Sequence, residues 1–447
     1  MRAYAPRHLA ISAKSGGGEA HIRTLMAPYP FSRSHDPFVD LSSQDAFNEG
    51  APFATFDRMR RDDPLAWSEM EGGGQGFWNV VRHGDLLELN RQPDLLSSAS
   101  GIRMEDQSAE EYEARKTFQE TDPPQHRAFR ALVSKAFSRA TMAGYEEQIR
   151  AIVTRLLDDA LEAGEFDATD AIARHLPMQM LAQIIGVPND DAAWLVEKGD
   201  ALISNADPDY TDFVIDKVDT DEYRMLPFRS PAAVELFDYA NRLLARIDAG
   251  EQIGVLNLVL EETSHGTAMS RDEFRNFFCL LVAAGNDTTR YSISATIHAL
   301  ANDPALLAQI QAPAFDQWDE ATDEMIRWAA PTSHFRRTAT RDFELHGKTV
   351  RAGDKVVMWF LSGNRDEAAI PDPYRIDLTR PRNPFLSFGQ GGPHICLGMW
   401  LAKLEVKIVL QELARRVKRI EQTAEHRYLR SNFIHGIKTL PVRVERK

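Results

Sequence analysis

The stretch between Ser270 and Asp303 constrains this chain more than any other. Ser270 followed three residues later by Glu273 has the form of a capping box, and Asp303-Pro304 supplies a stop signal. The spacing therefore predicts one continuous helix over 271–302, about 48 Å long at about 1.5 Å per residue. Phe274, Phe277, Phe278, Leu281, Val282 and Gly285 make it apolar around much of its circumference, which predicts a buried helix crossing the molecule. Its middle breaks that pattern with Ala283-Ala284-Gly285-Asn286-Asp287-Thr288-Thr289. A glycine inside a helix costs about 1 kcal/mol relative to alanine. A threonine there competes for backbone hydrogen bonds, and a buried aspartate is costly without a partner. Three such residues together imply a local distortion with a purpose. The plainer alternative is a kink whose polar patch faces another helix.

Apolar residues recur at helical spacing over 127–137, 145–163, 231–246 and 399–417 as well. Strand-like runs are short, at 76–81, 349–360 and 438–444, and residues 99–120 read as a charged, Ser-containing surface loop. The fold class is mainly α with small sheets. Length alone, 447 residues, would suggest two or three domains. The motifs instead favour one large domain over 36–447, after a mobile leader over 1–35 that contains Gly16-Gly17-Gly18.

Lys and Arg total 52 against 66 Asp and Glu, a net charge of -14, which argues against a nucleic-acid binder. The two cysteines, Cys279 and Cys396, make a disulfide framework improbable and point to a reducing cytoplasm. The longest apolar run, Phe277 to Ala284, is far short of the roughly 20 residues a membrane span needs, so no membrane anchor is expected.

Chemistry concentrates in Phe388-Gly389-Gln390-Gly391-Gly392-Pro393-His394-Ile395-Cys396-Leu397-Gly398, followed at once by the amphipathic stretch from Met399. A thiolate at a helix N-terminus gains from free N–H groups and the helix dipole. Glycines let the loop backbone approach a flat cofactor closely. This layout suits a thiolate ligand to haem iron, whereas a lone cysteine without such a loop would usually be an inert core residue.

With these residues in hand, the chain resembles the cytochromes P450. The family signature of a Phe, a Gly-rich turn and Cys-x-Gly is matched by Phe388, Gly392, Cys396 and Gly398, in a loop one residue longer than usual. The resemblance runs from about residue 40 to the end. It implies a large helical domain with a small β-rich lobe, and haem b buried between the long helix and the loop, with Cys396 as axial ligand. It makes Ala284 and Gly285 part of a groove against the haem, and Asp287 with Thr288 an acid–alcohol pair delivering protons. His126, Arg130, Arg337 and His394 fall where family members hold the haem propionates, in keeping with the planar fork by which arginine grips carboxylates. Any one of these cations by itself would more commonly be a solvated surface charge. Glu324 and Arg327, with Asp372-Pro373, Asp377 and Arg380, match the family's structural ion-pair meander, although Ile376 stands where an aromatic is usual.

The implied activity is insertion of one oxygen atom into an unactivated C–H bond of a hydrophobic guest: a cyclic terpenoid, alkyl-aromatic, steroid or lipid. Expected walls for that guest are Leu280, Ala283, Ala284, Ser333, Phe433, Ile434, Ile102 and Met104, mostly apolar and with no charge aimed inward. The chain carries no flavin or iron–sulfur signature, so the resemblance implies electrons from a two-iron ferredoxin and its NAD(P)H-dependent reductase. Such ferredoxins are acidic, which predicts a basic docking patch including Arg127 and Lys135. A monomer is the default. Two rivals are a peroxide-dependent hydroxylase, whose members typically lack the acid–alcohol pair, and a non-catalytic haem sensor, which needs neither a proton relay nor a large apolar pocket.

Overall fold

A computed structural model describes residues 38–447 apart from 71–72, 262–267 and 382, so the expected leader over 1–35 lies outside the described residues. The long helix runs Arg271–Asn302. Glu273 N–H donates to Ser270 Oγ at 3.2 Å, and Ser270 N–H donates to the Glu273 carboxylate at 2.8 Å, the reciprocal bonds of a capping box. Helix Pro304–Gln311 restarts immediately, with Asp303 as its N-cap and Pro304 in the first position. Phe274, Phe277 and Phe278 are buried, so the all-round apolar pattern does correspond to a core helix.

Against it pack helices His175–Ile185, Ala192–Ile203 and Ala232–Asp248 on one side, and Trp318–Ala329 and Met399–Arg416 on another. Helices Gln125–Ser134 and Glu146–Ala163 stand where the periodicity puts them. The 99–120 segment differs from expectation. Ser108 and Glu111 form a second capping box and start a helix, Ala109–Arg115. Its side chains are not buried, so no apolar stripe announced it.

One sheet has five strands in the order Leu65–Ser68, Phe77–Val80, Lys355–Met358, Phe335–Ala339 and Leu96–Ser97, with Phe77–Val80 and Lys355–Met358 parallel. Strand Pro441–Arg446 pairs between Glu165–Asp167 and Val417–Gln422. The turn before it rests on the long helix. A Cβ on Gly436 would meet the Tyr291 ring at 2.0 Å, so only glycine fits that approach.

The meander is held as expected. Glu324 and Arg327 are fully buried and joined by two bonds, Nε to Oε2 at 2.7 Å and Nη2 to Oε1 at 2.8 Å. Arg327 also donates to the carbonyls of Asn364 and Pro373, while Glu324 accepts from Asp377 N–H, Arg380 and Asn383. This knot ties helix Trp318–Ala329 to the segment that leads into the Cys396 loop.

Candidate functional site

The Cys396 loop closes on itself and on helix His83–Asn90. Cys396 N–H donates to the Phe388 carbonyl at 2.8 Å. Asn90 Nδ2 donates to the carbonyls of Gly389 and Gln390 at 2.8 and 2.9 Å, and a Cβ on Gly392 would sit 2.3 Å from the Asn90 carbonyl. The longer loop is thus absorbed between Gly389 and Gly392, leaving Phe388 buried and lining the cavity. The Cys396 thiol sits deep in the protein yet is exposed, because what it faces is an internal cavity. Burial raises its pKa, opposed by the N–H groups of Gly398 and Met399 at the start of helix Met399–Arg416 and by the charge of Arg130.

Across the cavity stands the middle of the long helix. Leu280, Ala283, Ala284, Gly285 and Thr288 line it, and so do Ile102, Phe433, Ile434 and Gly398. Ala284 is exposed to the cavity. The space left by the missing Gly285 side chain is taken by Leu181, whose Cδ2 would lie 2.6 Å from a Cβ there, so this glycine serves close helix packing as much as an open groove. Two expected wall residues are elsewhere. Ser333 is buried in backbone pairing with Phe433, and Met104 belongs to a separate core cluster with Trp359 and Phe56. The expectation of a wall free of charge also fails: Arg103, Glu105, Arg115, Glu120 and Arg229 line the cavity. They come from loop and short-helix segments whose side chains turn inward only through tertiary packing.

Thr288 and Asp287 do not share a direction. Thr288 faces the cavity and donates to the Ala284 carbonyl at 3.2 Å. Asp287 points away from the cavity, fully buried, accepting from Ser204 Oγ at 2.7 Å and lying 3.0 Å from Arg290 Nη2. Burial raises its pKa, with Arg290 pulling the other way. Arg290 also pairs with Asp200, which accepts from Asn286 at 2.7 Å and from the half-buried Arg174 at 2.8 Å. A charged chain therefore leads from Arg174 at the edge of the fold to Asp287. Arg290, three residues after Asp287 in an apolar helix, was the sequence signal for it.

The four expected propionate partners converge. His394 lines the cavity, with the His126 ring 4.0 Å away, centroid to centroid. Burial first, then the charge of Arg337, pushes the His394 pKa down to about 2, and burial with Arg130 pushes His126 down to about 4. Both ring nitrogens of His126 are buried without a hydrogen-bond partner among the described residues. Arg337 is buried and donates to the Arg336 carbonyl, and burial lowers its pKa to about 10. Orphaned donors and uncompensated cations beside a thiol that faces an apolar cavity are the donor set for a flat iron macrocycle carrying carboxylate arms.

Comparison with known proteins agrees. A model of the cytochrome P450 family matches residues 318–436. The chain is 33% identical to a methyl-branched lipid omega-hydroxylase of Mycobacterium tuberculosis over 90% of its own length and 94% of that protein's. It is also 33% identical to a linalool 8-monooxygenase of Pseudomonas putida, over 90% and 98%. Among solved structures, a Mycobacterium marinum cytochrome P450 in complex with pseudoionone superposes with a TM-score of 0.82 at 32% identity, covering 94% of this chain and all of that one.

Proposed function

This chain belongs to the cytochrome P450 family and is a monooxygenase of that family, and on that premise we propose that it hydroxylates an unactivated C–H bond of a hydrophobic terpenoid, steroid, alkyl-aromatic or lipid, with a ferredoxin as electron source. The single observation that carries the reading is that Cys396, at the mouth of helix Met399–Arg416, and Thr288, midway along helix Arg271–Asn302, line the same largely apolar cavity. The activities of the two relatives, on a methyl-branched lipid and on linalool, support the substrate class.

A haem-thiolate cofactor comes with the family, and haem b held at Cys396 supplies the dioxygen activation that no side chain can perform. One oxygen atom enters the substrate and the other leaves as water, which consumes two electrons and two protons. The chain's own residues do the rest. Cys396 Sγ binds the iron, and the N–H groups of Gly398 and Met399 with Arg130 favour its thiolate. Arg130, Arg337, His126 and His394 are the residues that would hold its carboxylate arms, with Phe388 lining the loop side of the cavity. Burial raises the pKa of Asp287 against the pull of Arg290, and Thr288 Oγ faces the cavity while its hydrogen goes to the Ala284 carbonyl.

The test is spectroscopic. The reduced protein treated with carbon monoxide should give the red-shifted band of a thiolate-bound haem, and Cys396→Ser should abolish it. Purified protein that binds no porphyrin would sink the whole reading. Thr288→Ala should keep the substrate-induced spectral shift but send electrons into hydrogen peroxide at the expense of product. Unchanged coupling would remove Thr288 from the proton path; peroxide-driven turnover matching ferredoxin-driven turnover would favour the peroxide-dependent alternative, and no turnover at all the sensor.

For electron supply, the support is local charge. Arg127, on helix Gln125–Ser134, and Lys135, its C-cap, are both exposed despite the acidic net charge of the chain. A two-iron ferredoxin reduced by an NAD(P)H-dependent reductase fits that patch. Among the described residues no helix is long and apolar enough to cross a membrane, which supports a cytoplasmic location; recovery in the membrane fraction would overturn it.

A further inference from the structure

One end of the cavity carries charge that a hydrocarbon guest does not need. Arg103 lines it, with Nε and Nη1 buried and without a hydrogen-bond partner among the described residues. Its Nη2 makes only long contacts, 3.5 Å to Glu105 and 3.4 Å to Asn205. The guanidinium carbon lies 5.2 Å from the Phe433 ring centre and 5.7 Å from that of Phe228, so aromatic rings hold the group while its donor edge stays open. An arginine placed this way has left water with two of its three nitrogens uncompensated, its one ion pair being a long contact at Nη2.

Two more guanidinium groups share the wall. Arg115 gives its donors to Gln107 and the Arg224 carbonyl. Arg229 gives Nη2 to Asp221 at 2.6 Å and keeps Nε buried without a partner among the described residues. Burial lowers the Arg115 pKa, the carboxylates of Glu111 and Glu120 oppose it, and the nearby charges of Arg229 and Arg103 add to the lowering. Phe228 and Arg229 are consecutive non-glycine residues in the left-handed region, at φ 59° and 51°. Both backbones are held in a conformation that side chains disfavour. The Phe228 carbonyl is held there by Asn205 Nδ2 at 2.7 Å, and both side chains line the cavity. Two carboxylates share this end of the cavity. Glu105 pairs with Arg103 at 3.5 Å, and although burial opposes ionisation, Arg103 and then Arg115 hold its pKa below the ordinary value; Glu120 caps Thr117 N–H while burial raises its pKa.

We propose that this end of the cavity binds the ionised carboxylate of an otherwise apolar substrate, with Arg103 and Arg229 donating to its oxygens. The proposal rests on the reading of the cavity as the seat of a hydrophobic guest, and narrows that guest to a carboxylic acid. The natural experiment titrates the haem-loaded full chain with straight-chain and methyl-branched fatty acids, each against its own methyl ester, and reads the spin-state shift of the ferric haem at neutral pH. The acid should bind about tenfold more tightly than the ester. Arg103→Gln should erase that preference while leaving ester affinity within about twofold, and Arg103→Lys should retain part of it. Equal affinity of acid and ester for the unaltered protein, a comparison that needs no variant, overturns the carboxylate anchor and leaves the apolar-guest reading standing. So does an Arg103→Gln protein that loses both ligands equally. If neither acid nor ester shifts the spectrum, the apolar-guest reading fails and takes the anchor with it.

Discussion

Glu324 and Arg327 are as deeply buried as His126 and Arg337, but the two groups are built to opposite rules. Each oxygen of Glu324 and each nitrogen of Arg327 has a protein partner. Among the described residues the His126 ring has none, and the Arg337 guanidinium has one backbone carbonyl. Burial of charge alone therefore does not separate a structural cluster from a ligand socket; what separates them is whether the hydrogen bonds close within the chain. A closed cluster is complete when the chain folds, whereas an open one leaves desolvation uncompensated until a partner of opposite charge arrives.

Breaking the closed cluster should have the largest effect. Glu324→Ala strands Arg327 in the core and should cost about 3–5 kcal/mol in denaturant unfolding, with little soluble protein recovered. A loss below about 1 kcal/mol would show that the knot is not structural.

Next comes Glu405, an open case of the other sign. It lies on helix Met399–Arg416 with Oε1 buried and without a partner among the described residues, and burial raises its pKa to about 8. An unfolded glutamate titrates near about 4.3. Between those values the unfolded chain releases a proton that the folded chain keeps, so this residue's contribution to stability falls as pH rises from about 4.3 through about 8 and is constant below. Glu405→Gln should therefore stabilise by roughly 2 kcal/mol near pH 6 and by almost nothing near pH 4. A pH-independent difference would mean the carboxyl is ionised and paired.

Arg337→Leu sharpens the contrast directly. It removes a poorly compensated cation, so unfolding of the haem-free protein should be unchanged or slightly harder, while haem transfer to an acceptor protein should accelerate by about tenfold. Loss of haem-free stability on the scale of Glu324→Ala would place Arg337 among the closed, structural charges. The smallest effect belongs to Arg127, exposed next to His126. Arg127→Glu should leave melting and substrate shifts untouched and slow reduction by an acidic ferredoxin severalfold at low salt, the difference fading as salt rises. Identical reduction rates across the salt series would move the docking patch elsewhere.

Much of this was legible in the order of residues. Ser270, Glu273 and Asp303-Pro304 bound the long helix because caps act over a few adjacent residues. The Phe388–Gly398 loop and the helix after it marked Cys396 for the same local reason, and Glu324 with Arg327 lie one helical turn apart. The convergence of His126, Arg130, Arg337 and His394 could be inferred only through the family resemblance, since they sit on three separate segments.

What the sequence by itself determined, then, are the features set by short-range geometry: helix limits, the thiol at a helix mouth, and the polar break at Gly285 to Thr288. Tertiary structure alone decided which way each side chain faces. It turned Asp287 toward Ser204 and Arg290 and away from the cavity, removed Ser333 and Met104 from the walls, and brought Arg103, Arg115 and Arg229 inside. The physical reason is that facing depends on which surface lies opposite, and those opposing surfaces, helix Ala192–Ile203 against Asp287 and the Phe228–Arg229 turn against Arg103, are distant in the chain and meet only when the core closes.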